Sequence, residues 1–513
     1  MKAKIFTSTL SALLASSAFV AAADLMFVPT SGTDSIDYTW TDSTGTWANT
    51  EDGLTIKDYL VSKAPTSEDN VYINVNAVQD FATLGNTVIL GLPVTEVNEF
   101  TLYGNLTAFN ITSAYSEDKT TSVFKTVGDF NVTLDGSGGY SGKTITSGTN
   151  NALSVEIGGS FVPSRVNNKG TLTFTFGTLD SLKINKDLNL SGQIAIGNVH
   201  SGRNADLIAQ DKYYYYKNAD VQIGGSIKEG GTLFLNGSGK RSNIISVNGL
   251  LGSGDLRAMN NNKGSVGVTS TIVLTNTSNC SFTGNITDLY SYGDTEGIVG
   301  SNVIVDVVMM GTHQQKIRFS NSKRAFRGGV TVISGDLRMY TNKVNNTEAG
   351  QWGKWGDIRL VGNDDGIQAK FGAIGSNSGE TDSNARVYGD NLVWTDGVIV
   401  SGIINETTAG LIDLSGTLKK GENAASEFWF EFVGSTELLM DNEEGVKVIS
   451  WETLPTDFEA NEFRAADMDD GYSAKFEIKD DGLYVSYVQV PEPSTMAAML
   501  GLLALGFAIY RRK

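Results

Sequence analysis

Apolar and polar residues alternate with a period of two along most of this chain. Val71, Ile73 and Val75 are separated by Tyr72 and Asn74. The same spacing recurs in Phe130/Val132/Leu134, Leu172/Phe174/Phe176, Leu233/Leu235, Val303/Val305/Val307 and Phe428/Phe430/Phe432. Each run ends at Gly, Asn, Asp or Ser, as half-buried strands do. Helical periodicity is nearly absent between Asp24 and Val490, and only Glu51 to Lys63 could supply one short helix. The pattern predicts an all-β protein.

The strands return in similar settings. Val127-Gly128-Asp129-Phe130, Ile157-Gly158-Gly159-Ser160-Phe161 and Ile223-Gly224-Gly225-Ser226-Ile227 share a β-branched residue, a turn and a second strand. Gly230 to Gly237 and Gly328 to Leu337 repeat the theme with uneven spacing. Strand, glycine, strand without helices is what stacked β-coils need: each coil buries its inward residues against the next. The Gly328 to Leu337 stretch resembles the autotransporter-associated β-strand repeat, with its Gly-Gly turn, alternating strand, Ser-Gly and leucine. That resemblance implies a right-handed parallel β-helix at a cell surface. A true autotransporter would close on a membrane β-barrel, whereas this chain ends in an apolar stretch and a basic tail. At ~20–25 residues per coil and a rise of ~4.8 Å, about 465 residues would stack to roughly 100 Å.

Near the start, Trp40, Gly45-Thr46-Trp47, Ala64-Pro65 and Asp69 to Ile73 resemble the opening of many repetitive exported β proteins. Trp40 and Trp47 would cap the open first coil, covering surface that could template aggregation; the sharper alternative is a platform for sugar rings. Gln351-Trp352-Gly353-Lys354-Trp355-Gly356-Asp357 interrupts the coils, and more aromatic, acidic strands follow to Tyr487. The expected order is therefore a signal peptide over 1–23, a capping β segment over 24–80 and β-solenoid repeats over 81–345. A C-terminal β region over 346–489 and a sorting tail over 490–513 complete it.

The two ends carry the clearest addresses. Lys2 and Lys4 precede an apolar run, and Ala21-Ala22-Ala23 precedes the first acidic residue, Asp24. A basic head, an apolar middle and small residues at −3 and −1, here Ala21 and Ala23, are what signal peptidase reads. Cleavage after Ala23 is expected. At the other end Val490-Pro491-Glu492-Pro493 is followed by an apolar segment from Met496 to Tyr510 and then Arg511-Arg512-Lys513. The prolines make a stiff exposed stub. The uncharged segment, although shorter than ~20 residues, predicts a transmembrane helix with the cations held in the cytoplasm. This tail resembles the PEP-CTERM sorting signal of Gram-negative bacteria. The resemblance implies recognition by an exosortase-type enzyme, an inner-membrane-anchored intermediate, then delivery to the cell surface or extracellular matrix.

Composition narrows the function. The formal charge of −18 becomes −23 once the five cations of the two ends are set aside. Nucleic acid is excluded as a partner on this ground, since phosphate binding needs clustered Lys and Arg. One cysteine, Cys280, forbids an internal disulfide, so stability must come from a large core. Glycine is abundant at 58 residues while proline is scarce at seven, which reads as repeated turns rather than disorder.

Candidate chemistry is sparse. His200 and His313 stand in unrelated contexts and make no zinc site, which wants three or four ligands. No catalytic residue or cofactor is expected, apart from a possible structural calcium. Asn363-Asp364-Asp365-Gly366 is the best carboxylate pair, with Asp469-Asp470 and Asp480-Asp481 behind it. Adjacent strand residues face opposite ways, so such a pair serves a sugar bond only from a turn. The same sequence is a turn signal in its own right. Lys323-Arg324 and Lys419-Lys420 lack acidic sequence neighbours, as a lyase site would not. Tyr213, Tyr214, Tyr215 and Tyr216 could stack on sugar rings, or form an ordinary strand or loop. Together these features predict a non-enzymatic, adhesive or structural surface protein associated with exopolysaccharide. The alternative is a carbohydrate-active β-helix enzyme.

Overall fold

A computed structural model of the chain describes the strands and tight turns between Ala23 and Val490, with Leu500–Leu502, Ala504 and Arg511 beyond them. The remaining residues, among them 1–22, 40–46, 197–211, 291–302, 319–327, 341–355, 363–365, 467–470 and 491–499, lie outside the described set. The predicted signal segment, Ala21, Trp40, His200, Asp364, Asp365 and Pro491 to Pro493 fall there.

The described chain is all β apart from short helical turns, and its strands form a large mixed sheet and a smaller one of nine strands. The alternation seen in the sequence is its cause. Phe130 and Val132, Leu233 and Leu235, Val305 and Val307, and Phe428 and Phe430 all point into one continuous core and are essentially sealed from solvent. Their polar neighbours face outward.

Most pairings are parallel and join strands from successive segments of chain. One ladder runs from Val94–Val97 through Ser122–Thr126, Leu153–Ile157, Ser181–Ile184, Val221–Lys228 and Ile244–Leu250. It continues through Val268–Leu274, Val303–Arg318, Val330–Tyr340, Ile358–Leu360 and Leu392–Trp394 to Leu418–Lys420. A second links Asn70–Asn74, Phe100–Tyr103, Phe130–Leu134 and Phe161–Arg165. The nine-stranded sheet is a third, from Asp37–Thr39 to Asn285–Tyr290. Partners lie as close in sequence as Thr173 and Gln193, or as far apart as Asp37 and Thr87. Eleven steps of ~4.8 Å give the first ladder about 50 Å. The longer expectation took in about 465 residues, whereas this ladder spans only 94–420, and it assumed shorter coils than most of these intervals.

Three of the repeated glycine motifs, at Gly128, Gly158-Gly159 and Gly224-Gly225, fall at one corner. Ser160 N–H donates to Asp129 Oδ1 at 2.7 Å, Asp187 N–H to Ser160 Oγ at 3.4 Å, and Ser226 N–H to Asp187 Oδ1 at 2.8 Å. Asp and Ser thus alternate as acceptors for the backbone of the next segment. The backbones approach so closely that a Cβ on Gly158 would sit 2.2 Å from the Val127 carbonyl oxygen. Inside the corner, Phe100, Phe130 and Phe161 stack edge to face with centroids 5.0 and 5.3 Å apart. Cys280 is buried, its thiol reaching the Ser278 carbonyl at 3.5 Å.

Antiparallel pairing marks both ends. Asp24–Phe27 runs parallel to Asn70–Asn74 on one side and antiparallel to Trp47–Thr50 on the other, which pairs antiparallel with Ile56–Tyr59. The short helix that Glu51 to Lys63 might have supplied is thus replaced, over Ile56–Tyr59, by a strand held in this ladder. Trp47 is buried and meets Phe27 edge to face at 5.1 Å. At the far end Tyr472–Lys479 and Gly482–Gln489 form a hairpin that joins Val446–Ser450 antiparallel. Asp480-Asp481 makes its two-residue turn. The outer strand carries Lys475, Glu477 and Lys479, charges that discourage pairing with another chain. On either side of the boundary expected near 345, Val330–Tyr340 pairs parallel with Ile358–Leu360 and Ala369–Ala373.

Lys212–Lys217 is a six-residue helix rather than a strand or loop. Its placement has a remote cause. Ile244, Val273, Val308 and Ile333 lie on four consecutive strands and are buried apart from the main core. Tyr216 and Ala219 pack over this stripe, and Asn218 caps the helix by donating from its N–H and Nδ2 to the Tyr214 carbonyl.

Among the described residues no helix is long and apolar enough to cross a membrane. Most of the stretch expected to form the transmembrane helix, Met496 to Tyr510, lies outside the described residues. That stretch holds fifteen residues, about 22 Å as a helix against a hydrocarbon core of about 30 Å. Only Leu500–Leu502 and Ala504 within it are described as helical.

Candidate functional site

Among the described residues a cleft lies near the C-terminal end, with a volume of about 520 Å³. Alternation builds it. On Arg386–Gly389, Val387 points into the core, which turns Arg386 and Tyr388 outward into the cleft. The hairpin of Val398–Asn405 and Thr408–Leu414 supplies Thr407, Thr408 and Leu411, and Val446–Ser450 supplies Lys447. Tyr340, nearly buried, forms the inner wall. Ser383 and Asn384 form a lip on the 374–385 loop. This loop is pinned where Lys316 Nζ donates to the Ser378 carbonyl at 3.0 Å and pairs with Glu380 at 3.1 Å. Arg318 also donates to the Ser376 carbonyl.

The cleft combines rings, hydroxyls and cations. Arg386 Nη1 donates to the Tyr388 hydroxyl at 3.0 Å, and its guanidinium lies 5.6 Å from that ring's centroid. Its Nε stands 3.9 Å from Asp413 Oδ2, a loose pair that leaves the guanidinium open to solvent. Lys447 pairs with Asp481 and lies 5.2 Å from the centre of the Tyr484 ring. Burial works against the Lys447 cation, but hydrogen bonds to Asp481 and Tyr484 outweigh it and hold the amine above its ordinary pKa. Burial, aided by Tyr388, raises the Tyr340 phenol against the opposing charge of Arg318. Such a surface can stack a sugar ring and neutralise an acidic substituent.

The residues singled out in the sequence are not gathered here. Tyr214 is exposed and Tyr216 buried on the short helix, where successive residues turn by about 100°. Only the backbone of Tyr213 and Tyr215 is described. His313 is exposed, its Nδ1 2.7 Å from Thr312 Oγ1. Lys420, which lacks an acidic neighbour in sequence, gains one in space, Glu462 at 2.6 Å. Among the described residues no group of three or more His, Cys, Asp or Glu could hold a metal ion. The cleft was missed because Tyr340, Arg386, Thr407 and Lys447 share no motif. The one usable signal was the outward Arg-Val-Tyr alternation at Arg386 to Tyr388.

The C-terminal tail leaves the fold directly from its last strand, Gly482–Gln489, with Val490 N–H held by the Gly471 carbonyl at 2.7 Å. Residues 489–513 match the PEP-CTERM protein-sorting motif. Such a motif marks export through an exosortase pathway, so this is an exported protein sorted to the cell envelope or surface. No curated protein and no solved structure matches the chain.

Proposed function

We propose that this chain is a non-enzymatic structural or adhesive protein of the cell surface or extracellular matrix, associated with exopolysaccharide. The sorting motif, emerging without a linker from the closing hairpin, carries the reading. In this reading Val490 to Pro493 are presented to the exosortase and Arg511 to Lys513 hold the tail at the inner membrane in a transient intermediate. The body is a right-handed β-solenoid: parallel ladders joining successive segments support it, and the N-terminal Trp47 strand acts as its cap. The Tyr340/Tyr388 cleft, with Arg386 and Lys447, supplies a contact for acidic polysaccharide.

Cell fractionation tests the sorting. With Pro491 and Pro493 changed to alanine, the protein should remain with the inner membrane while the wild type reaches the surface. Unchanged delivery would reject the sorting role. For the contact, Arg386→Ala should weaken binding of purified protein to an acidic exopolysaccharide at least several-fold; equal binding would remove the cleft from the reading.

A further inference from the structure

We infer that signal peptidase cuts between Ala22 and Ala23, one bond earlier than the small-residue pattern predicts, and that the new α-ammonium of Ala23 docks on buried Asp69. The inference rests on the chain being exported. Asp69 is 3 % exposed, and its carboxylate receives three hydrogen bonds. Thr66 N–H and Thr66 Oγ donate to Oδ2 at 2.9 and 2.8 Å, and Ala23 N donates to Oδ1 at 3.1 Å. No described cation pairs with it. A buried carboxylate served only by neutral donors is costly, and a cation at the third position would relieve that cost.

Ala23 is also built into the sheet on its other side. Its carbonyl accepts from Asn70 N–H at 2.9 Å, extending the pairing of Asp24–Phe27 with Asn70–Asn74 by one residue. Cleavage after Ala23 would take away the Oδ1 donor and the Asn70 acceptor together. Cleavage after Ala22 keeps both and leaves Val20 and Ala22 at −3 and −1, still small enough for the peptidase. In that hydrolysis water's hydroxyl joins the Ala22 carbonyl carbon and its proton goes to the Ala23 nitrogen. That amine, with a usual pKa of about 8, takes a second proton at neutral pH. A neutral amide donor becomes a charge-assisted one facing a carboxylate. Processing thereby strengthens the cap, and the uncut chain lacks the ion pair.

Mass spectrometry of the N-terminal peptide of the exported protein should read Ala23 as the first residue. In the folded protein the Ala23 amine should react with an acylating reagent at least tenfold more slowly than in urea. Asp69→Asn should erase most of that protection, whereas Thr66→Val, which removes only a donor to Oδ2, should keep it. If Asp69→Asn does not fold, the folded and urea rates of the wild type decide. An exported chain beginning at Asp24, or equal rates folded and unfolded, overturns the inference alone. A chain retaining residues 1–22 would overturn the export reading with it.

Discussion

Gln315 and Leu250 are 65 positions apart, yet one side chain serves both backbone groups of the other residue. Gln315 Oε1 accepts from Leu250 N–H at 2.9 Å and Nε2 donates to the Leu250 carbonyl at 3.1 Å. Oε1 also accepts from Asn276 Nδ2 at 3.0 Å, and both side chains are fully buried. The amide stands in for a missing strand neighbour where the ladder from Ile244–Leu250 has no paired residue beyond Val247 on that side.

Gln315→Leu should therefore destabilise the protein although it adds apolar surface. It strands the Leu250 N–H, its carbonyl and Asn276 Nδ2 without partners, at roughly 1–3 kcal/mol for each group left unpaired. A loss of about 3 kcal/mol in chemical denaturation is expected. A neutral or stabilising result would mean that water replaces the amide.

Glycine positions should separate by space. Gly158→Ala drives a methyl group onto the Val127 backbone, and about 3 kcal/mol is expected from overpacking. Gly366→Ala meets only open space within 4 Å but must hold φ near +77°, so about 1 kcal/mol should suffice. The order of the two midpoints in thermal unfolding checks the corner geometry.

Tyr216 gives a pH signature. Burial first, and then the charge of Asp306 against that of Arg359, pushes its phenol up to about 12 from an ordinary value near 10. A raised folded value means stability fully present below about pH 10 and lost as pH rises towards 12. The loss should approach 2–3 kcal/mol at the upper limit, by about 1.4 per pH unit. Alkaline melting curves of the wild type and Tyr216→Phe should diverge only above pH 10, the variant falling less; parallel curves would place the hydroxyl in water.

Asp364 and Asp365 read best as turn residues. Changing both to asparagine should leave glycan binding within twofold of the wild type. Glycan cleavage present in the wild type and lost in this variant would instead favour the enzyme reading.

The strand pattern was legible because inward residues such as Phe130, Leu235 and Phe428 answer to one rule, burial on alternate positions. The corner motif was legible but ragged, since Asp129, Ser160 and Asp187 perform the same acceptor role with different side chains. The helix at Tyr213 to Tyr216 could not be read. Six residues are too few to reveal a helical period, and the stripe that fixes Tyr216 is assembled from Ile244 to Ile333. The cleft failed for a related reason: Tyr340 and Lys447 meet only after several strands have stacked.

The parallel ladders also set how the molecule bears load. Their hydrogen bonds point along the stacking direction, so a pull in that direction would strain them in series rather than in shear. The hairpin of Tyr472–Lys479 and Gly482–Gln489 lies next to the tail beyond Val490 and carries the force first. Behind it each segment can peel away while those further in stay folded. If the proposed adhesive role holds, a cell held this way would meet drag with stepwise lengthening instead of abrupt detachment. Single-molecule pulling from the C-terminus should show this as a series of modest releases, whereas one large rupture would mean that the stack yields as a unit.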